Sequence, residues 1–448
     1  MQTWSPLSRI IVGEMSNENT LLFALPLELR ELIYKYILLD PSQGPEILQA
    51  CHDINTEARK FLYQRPIVFR SQAALNDWLE GRPRDVLQDV HELSLELQDV
   101  DLTPLLVSDR SADSHGRTRS LRTWELYEEE LDRLDQAFTK LPNITTLSIR
   151  ATSGRQTHLY EDFMAKALHM IASHWPLLRD LALEGNMHAQ SLGVINDLRA
   201  LTAFSFDGFC GTEPAETAAL LSRLCLTRMS IVSQPGLLTP TRGQHSNFTS
   251  KIQSFDASVL RSVDQLAYLS ISERVPSAAS SALFFTSEIL GSLHSHKTLS
   301  TLSLRSSHAP DEDTLDALNE FLKKSISVIR LELDWPHLNP AILYILTSRL
   351  KSLWIRAASL SVASDILGAL LESREDGGVQ KLRKVVLVRD NWDAGFVVES
   401  QLEHDDEDTN SDLEEEYEDE DSNKFDFAAL KTSLNELGIE VAWHTEVQ

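Results

Sequence analysis

Leu266-Ala267-Tyr268-Leu269-Ser270-Ile271 and, 33 residues on, Leu299-Ser300-Thr301-Leu302-Ser303-Leu304 are two copies of one pattern. An apolar residue is followed by two others, a second apolar residue, one other, and a third apolar residue. The last two apolar positions alternate with polar ones, which is the facing period of a half-buried strand. Moving upstream, the pattern returns as Leu226-Met229-Ile231, Leu201-Phe204-Phe206, Leu178-Leu181-Leu183, Ile144-Leu147-Ile149 and Val90-Leu93-Leu95. Downstream it returns as Val328-Leu331-Leu333, Leu350-Leu353-Ile355 and Leu382-Val385-Leu387, and Leu434-Leu437-Ile439 is expected to close the array. Stretches of helical period lie between the triples, such as Phe163-Ala167-Ile171, Leu315-Leu318-Leu322 and Ile366-Leu370, several of them preceded by acidic or hydroxyl residues that suit helix starts. Each unit therefore reads as one short strand and one helix.

Self-similarity of this kind is the mark of a stacked-repeat fold. The triples resemble the first half of a leucine-rich repeat. The final anchors are 22 to 54 residues apart, whereas that repeat recurs every 20 to 29 or so, and the Asn that ordinarily follows it is matched only by Asn186. The expected fold is α/β: an N-terminal helical segment followed by an irregular leucine-rich-repeat solenoid, with parallel strands on the concave face and helices on the convex face. The alternative is an α/β domain of alternating strands and helices without a solenoid.

The N-terminal segment is read from Leu25-Pro26-Leu27-Glu28-Leu29-Arg30-Glu31-Leu32-Ile33-Tyr34-Lys35-Tyr36-Ile37. Pro26 suits a helix start, and Leu29, Ile33 and Ile37 share one face. A second amphipathic run, Leu48-Cys51-Ile54-Ala58-Leu62, precedes a short strand at Pro66-Ile67-Val68-Phe69. Residues 21–70 resemble the F-box-like domain of fungal proteins, although the second helix has Ala50-Cys51-His52-Asp53-Ile54 where well-formed F-boxes have Val-x-Arg-x-Trp. The resemblance implies docking on a Skp-type adaptor and, through it, a cullin ligase core. By it, Leu25, Pro26, Leu29 and Ile33 meet the adaptor, and Leu48, Cys51 and Ile54 lie on the packing side. The domain reading is then a flexible N-terminus at 1–20, the F-box-like domain at 21–70, a connecting segment at 71–87 and the solenoid at 88–443. The function implied is a substrate-recognition adaptor of a cullin-type ubiquitin ligase; the alternative is a ligase-independent interaction scaffold whose N-terminal helices cap the solenoid.

Outward positions of the strands carry Ser94, Ser148, Ala182, Ser205, Ser230, Ser270, Ser303, Glu332, Trp354 and Val386. Six serines make a smooth stripe. The C-terminal end changes character: Trp335, Trp354 and Trp392 stand with Arg305, Arg356 and Arg389 and with Glu332 and Asp334. Aromatic and arginine side chains dominate interface energies, so an unidentified protein substrate is expected at Arg305, Glu332, Asp334, Trp335, Trp354, Arg356, Arg389 and Trp392.

The formal net charge is −26, and the stretch from Glu403 to Asp421 holds 13 carboxylates with no Lys or Arg. An acidic chain without clustered cations argues against nucleic-acid binding. The acidic block is read as a disordered insertion at 399–424. The serine-, glycine- and arginine-rich stretches at 108–120 and 234–250 are read as flexible loops. Three cysteines, Cys51, Cys210 and Cys225, without a CxxC pair, argue against a disulfide framework or zinc site. No run reaches the length of a membrane span and no secretory leader is read, so a cytoplasmic or nuclear location is expected. No phosphate-binding loop, dinucleotide fingerprint, zinc-protease motif or nucleophile elbow occurs. No enzyme activity, cofactor or metal is expected.

Overall fold

Twelve strands lie in one sheet in the order of the chain, each pairing in parallel with the next. They are β1 (Ile67–Phe69), β2 (Glu92–Leu97), β3 (Thr146–Ala151), β4 (Asp180–Glu184), β5 (Ala203–Asp207) and β6 (Arg228–Ser233), then β7 (Tyr268–Glu273), β8 (Thr301–Ser306), β9 (Arg330–Asp334), β10 (Ser352–Ala357), β11 (Lys384–Arg389) and β12 (Glu440–Thr445). The computed structural model describes residues 22–40, 45–101, 120–152, 156–233, 253–273, 284–325, 327–389 and 420–445. The readings at 1–20, 108–119, 234–250 and 399–419, and Trp392, lie outside these residues.

Register turns the sequence triples into rows. Leu93, Leu147, Leu181, Phe204, Met229, Leu269, Leu302, Leu331, Leu353, Val385 and Val441 are cross-strand neighbours in turn. All are buried on the helix side. Because parallel strands need a crossover, each excursion between strands packs helix or turn against that row. The excursions differ widely in length: α5 (Ser120–Lys140), α6 (His158–His174), α10 (Glu312–Lys324), α11 (Leu360–Glu375) and α12 (Glu420–Glu436) are long. By contrast α7 (Pro214–Leu221), α8 (Ala257–Arg261) and α9 (Ser287–Ser292) are short. Thr157, Asp311 and Ser359 cap α6, α10 and α11 through side-chain oxygens. One core cluster runs unbroken from Tyr63 to Val441. This is a leucine-rich-repeat type of solenoid.

A backbone ladder joins the repeats where the Asn of the usual motif is missing. His91 O accepts from both Thr145 N and Thr146 N, Thr145 O from Arg179 N and Asp180 N, and Arg179 O from Thr202 N and Ala203 N. The pattern continues to Lys351 O, which accepts from Arg383 N and Lys384 N, with distances of 2.8 to 3.2 Å. Turns are tight elsewhere too. Gly185 leaves β4 at φ +80°, and a Cβ there would lie 2.1 Å from Ala151 O at the end of β3; only glycine fits.

The N-terminal boundary differs from the sequence reading. β1 pairs with β2 through Ile67↔Leu93, Val68↔Ser94 and Phe69↔Leu95, so the sheet begins inside the segment assigned to the F-box-like domain. The stretch read as a connector supplies α3 (Gln72–Glu80) and α4 (Arg84–Leu87), whose Leu75, Leu79, Val86 and Leu87 enter the solenoid core. At the other end, β12 starts at Glu440, with Val441 and Trp443 opposite Val385 and Leu387. Leu434 and Leu437 belong to α12 and the turn after it, and Leu437 is exposed. Gly438, at φ +79°, makes that turn. Helix period and strand period run together in Leu434-Leu437-Ile439, and this set the expected triple too early. From Glu420 the segment read as a disordered insertion is already helical.

Candidate docking and substrate surfaces

Two helices precede the sheet: α1 (Leu27–Leu38), entered from Pro26, and α2 (His52–Leu62). Tyr34 and Leu38, one turn apart, pack on Ile54, Ala58 and Phe61 in a core cluster separate from that of the solenoid. Polar contacts fix this rotation. Arg30 donates Nε to Glu57 Oε2 at 2.9 Å and Nη2 to Oε1 at 2.6 Å, and Tyr34 donates its hydroxyl to Oε2 at 3.0 Å. Arg30 Nη1 donates to Leu25 O at 2.8 Å. A two-pronged guanidinium–carboxylate pair is both strong and direction-setting. The hydrogen bonds from Arg30 hold the Glu57 carboxyl below its ordinary range and raise the guanidinium in turn. Arg65 closes the other end, donating to Leu38 O and, at 2.9 Å, to Asp40 O.

The opposite side of α1 is bare. Leu29, Leu32, Ile33 and Tyr36 stand at i, i+3, i+4 and i+7, a single apolar stripe. Leu29 is 46% exposed, Leu32 62% and Tyr36 83%, and Ile33 is half-buried. Of the other residues of the docking module, Pro26 is exposed and Leu25 half-buried on the adaptor side, while Leu48 is half-buried and Ile54 buried on the packing side. Cys51 is a correction. It is exposed rather than on the packing side, and its Sγ accepts from Ile54 N at 3.5 Å as the N-cap of α2, because the residue just before a helix stands outside its packed face. Tyr36 was missed although its i+7 spacing from Leu29 carried the signal.

On the sheet, the structure brings five of the eight residues assigned to substrate together. Arg305, Glu332, Asp334, Trp354 and Arg356 line one hollow of about 60 Å³. Arg305 Nη2 meets Glu332 Oε1 at 2.6 Å, and Arg356 pairs with Asp334. Trp354 stands 38% exposed beside them. Three assignments change. Trp335 is 2% exposed and packs on Phe285, with ring centres 5.4 Å apart; it follows the end of β9, where the chain turns back over the core. Arg389 is the register partner of Ala357, which is buried on the helix side, and so alternates away from the row of Trp354 and Val386. Arg356 is itself buried, its charge committed to Asp334.

A larger groove lies over the serine stripe and shares only Arg305 with the residues assigned to substrate. Its volume is about 720 Å³, and it runs over the outward face from Glu96 on β2 to Arg305 on β8, with Ser205, Ser230, Ser270 and Ser303 on its floor. The serine row is in register from strand to strand: Ser94, Ser148, Ala182, Ser205, Ser230, Ser270 and Ser303. One hollow shared by strands this far apart requires a concave sheet.

No family model matches the chain, and no curated protein matches it. Among solved structures, the complex of Rad7 and Elc1 in yeast contains a chain that overlays with a TM-score of 0.37 at 12% identity, covering 81% of this chain and 81% of that one. A protein from Bacteroides fragilis overlays with a TM-score of 0.30 at 12% identity, covering 59% and 66%. Overlays this loose carry no weight for function. No described helix is long and apolar enough to cross a membrane.

Proposed function

We propose that this chain is a substrate-recognition adaptor of a cullin-type ubiquitin ligase, with no chemistry of its own. α1 and α2 dock a Skp-type adaptor, and the outward face of the sheet holds a protein substrate, so that the ligase acts at high effective concentration. One observation carries the docking arm: α1 turns the stripe Leu29, Leu32, Ile33 and Tyr36 to solvent while its other side is keyed to α2. An apolar helix face of this kind is the usual material of a partner contact, and the F-box-like pattern of residues 21–70 supplies the class of partner. The competing reading, in which these helices only cap the solenoid, requires them to cover its first hydrophobic face. Leu75 and Leu79 of α3 join that core, and of the helix pair Tyr63 at the C-cap of α2 does too, while the buried residues of α1 form a cluster of their own.

The test is co-purification with a Skp-type adaptor. The double variant Leu29→Asp, Tyr36→Asp is expected to lose association by more than about tenfold, as for paired hot-spot residues, with unchanged circular dichroism. Equal binding by wild type and variant, or no binding by wild type, removes the docking arm.

A further inference from the structure

The outward face of the sheet is electrically lopsided. Strands β2 to β6 present Glu92, Glu96, Asp180, Glu184 and Asp207 in its two flanking rows, against Arg150 and Arg228. Both cations are already committed, Arg150 to Glu184 at 2.6 Å and Arg228 to Asp180 at 3.0 Å. Glu92 and Glu96 are half-buried and make no ion pair among the described residues. Burial, and then the nearby Asp180 carboxylate, raise Glu92 above its ordinary range. From β8 to β12 the charges are nearly balanced: Arg305, Arg330, Arg356 and Lys384 stand with Glu332, Asp334 and Glu440, and Arg305–Glu332 and Arg356–Asp334 are paired.

A separate feature lies under the acidic half. Asp207 lines the groove and is only 3% exposed. Its Oδ1 accepts from Phe209 N at 3.1 Å, but its Oδ2 is closed to water and has no hydrogen bond. The nearest group is His188 Nε2 at 3.4 Å, which is not in line for a hydrogen bond and has no other. A carboxylate that solvent cannot reach is poorly screened, and its field extends into the groove above it. Beside it, Ser270 and Ser303 are more than nine-tenths buried and line the same groove. The floor is therefore small and polar, and the carboxylates around it favour cations.

We propose that the groove takes an arginine- or lysine-bearing protein segment, its cations over Glu96 and Asp207 with Glu92 on the adjoining row, and its backbone against the serine floor from Ser205 to Ser303. This rests on the substrate arm of the proposed function and not on the ligase arm. It moves the principal substrate contact from the tryptophan-bearing end to the middle and N-terminal half of the sheet, and it defines substrates by basic sequence. The far end of the face, over β9 to β11, pairs its charges internally, Arg356 with Asp334 among them, and so offers the same segment less attraction.

The experiment titrates the full chain with a fluorescein-labelled hexa-arginine peptide, following anisotropy, with hexa-glutamate and spermine as competitors. Glu92→Gln with Glu96→Gln is expected to weaken the peptide by roughly tenfold, as for two charge contacts. Asp207→Asn is expected to weaken it as well, and raising salt to weaken it steeply. A control replaces the carboxylates of 414–421 with serine and is expected to leave a groove-bound component. Protection from hydrogen exchange on 92–97, 146–151 and 180–184 by the peptide supports the site. Binding that survives Glu92→Gln, Glu96→Gln but vanishes in the control overturns the proposal. So does displacement by spermine at equal charge concentration, which marks a simple cation sink. Adaptor binding is measured separately through α1, so either reading can fail alone.

Discussion

The two halves of the protein hold themselves together in different ways. The solenoid repeats one instruction eleven times over: an apolar residue at the same register position in every strand from β2 to β12, all packed into one cluster. The α1–α2 pair has five buried apolar residues and takes its orientation from a few polar contacts, foremost the knot Arg30–Glu57–Tyr34, with Lys60–Glu31 and Arg65 beside it. A fold specified by many redundant weak signals tolerates exceptions at any one of them. A fold specified by a few strong contacts tolerates fewer, and such contacts are invisible to a reading of apolar spacing.

Deleting a central anchor is the severest way to break this contrast. Leu302, fully buried on β8, is expected to cost about 3 kcal/mol as Leu302→Ala. Urea unfolding should show it as a fall in midpoint of the main transition, with exchange protection in α1 unchanged. A cost below about 1 kcal/mol would mean that the core is not continuous at this repeat.

The reciprocal experiment is Glu57→Ala, which strands Arg30 and frees the Tyr34 hydroxyl. Amide exchange in α1 should rise strongly while the urea midpoint of the solenoid stays put. If both regions loosen together, the two clusters are one cooperative unit and the contrast fails.

Acid should separate the halves without any mutation. Glu57 has a lowered carboxyl, so its contribution is present above the unfolded range, near pH ~4.3. It is lost as pH falls through its lower folded value. Glu92 and Asp180 have raised carboxyls, chiefly from burial. The folded state there holds its protons to higher pH, so the sheet gains stability as pH falls through those raised values. Exchange measured from pH 6 downward should show β2 and β4 tightening before α1 begins to open. Opening of α1 and of β2 at one common pH would remove the distinction.

The smallest effect expected is at the cap of α2. Cys51→Ser keeps an acceptor for Ile54 N and supplies a better one, so a gain of a few tenths of a kcal/mol is expected in the exchange stability of α2. A loss of about 1 kcal/mol or more would place the thiol on a packed face after all.

The same contrast explains what could be read beforehand. The strands from β2 to β11 were legible because each apolar triple supports its neighbours, so a weak member such as Leu201-Phe204-Phe206 is carried by the rest. At the end of the array only one neighbour remains, and the helical spacing of Leu434 and Leu437 displaced the expected strand from Val441 and Trp443. The membership of β1 was hidden because three residues have too little pattern to reveal their partner. Trp335 and Arg389 were grouped with the outward residues by type, but facing is set by parity along the strand, which counts against Arg389, and by where the strand ends, which buries Trp335. The groove's floor was legible as a smooth serine stripe able to accept a partner helix or loop; the charge of the flanking rows was not, because it appears only once the strands are in register.

The ladder of shared carbonyls carries one more consequence. Each joint between neighbouring coils closes at a single oxygen, from His91 through Thr145 to Lys351, and the chain between two joints never takes part in it. Segments on the outer wall can therefore lengthen from a few residues to a long helix without shifting the spacing of the inner wall. Insertions accumulate at no cost to alignment, while any proline placed at Thr146, Asp180 or Ser352 would strike out a donor of the joint itself and dislocate every coil beyond it.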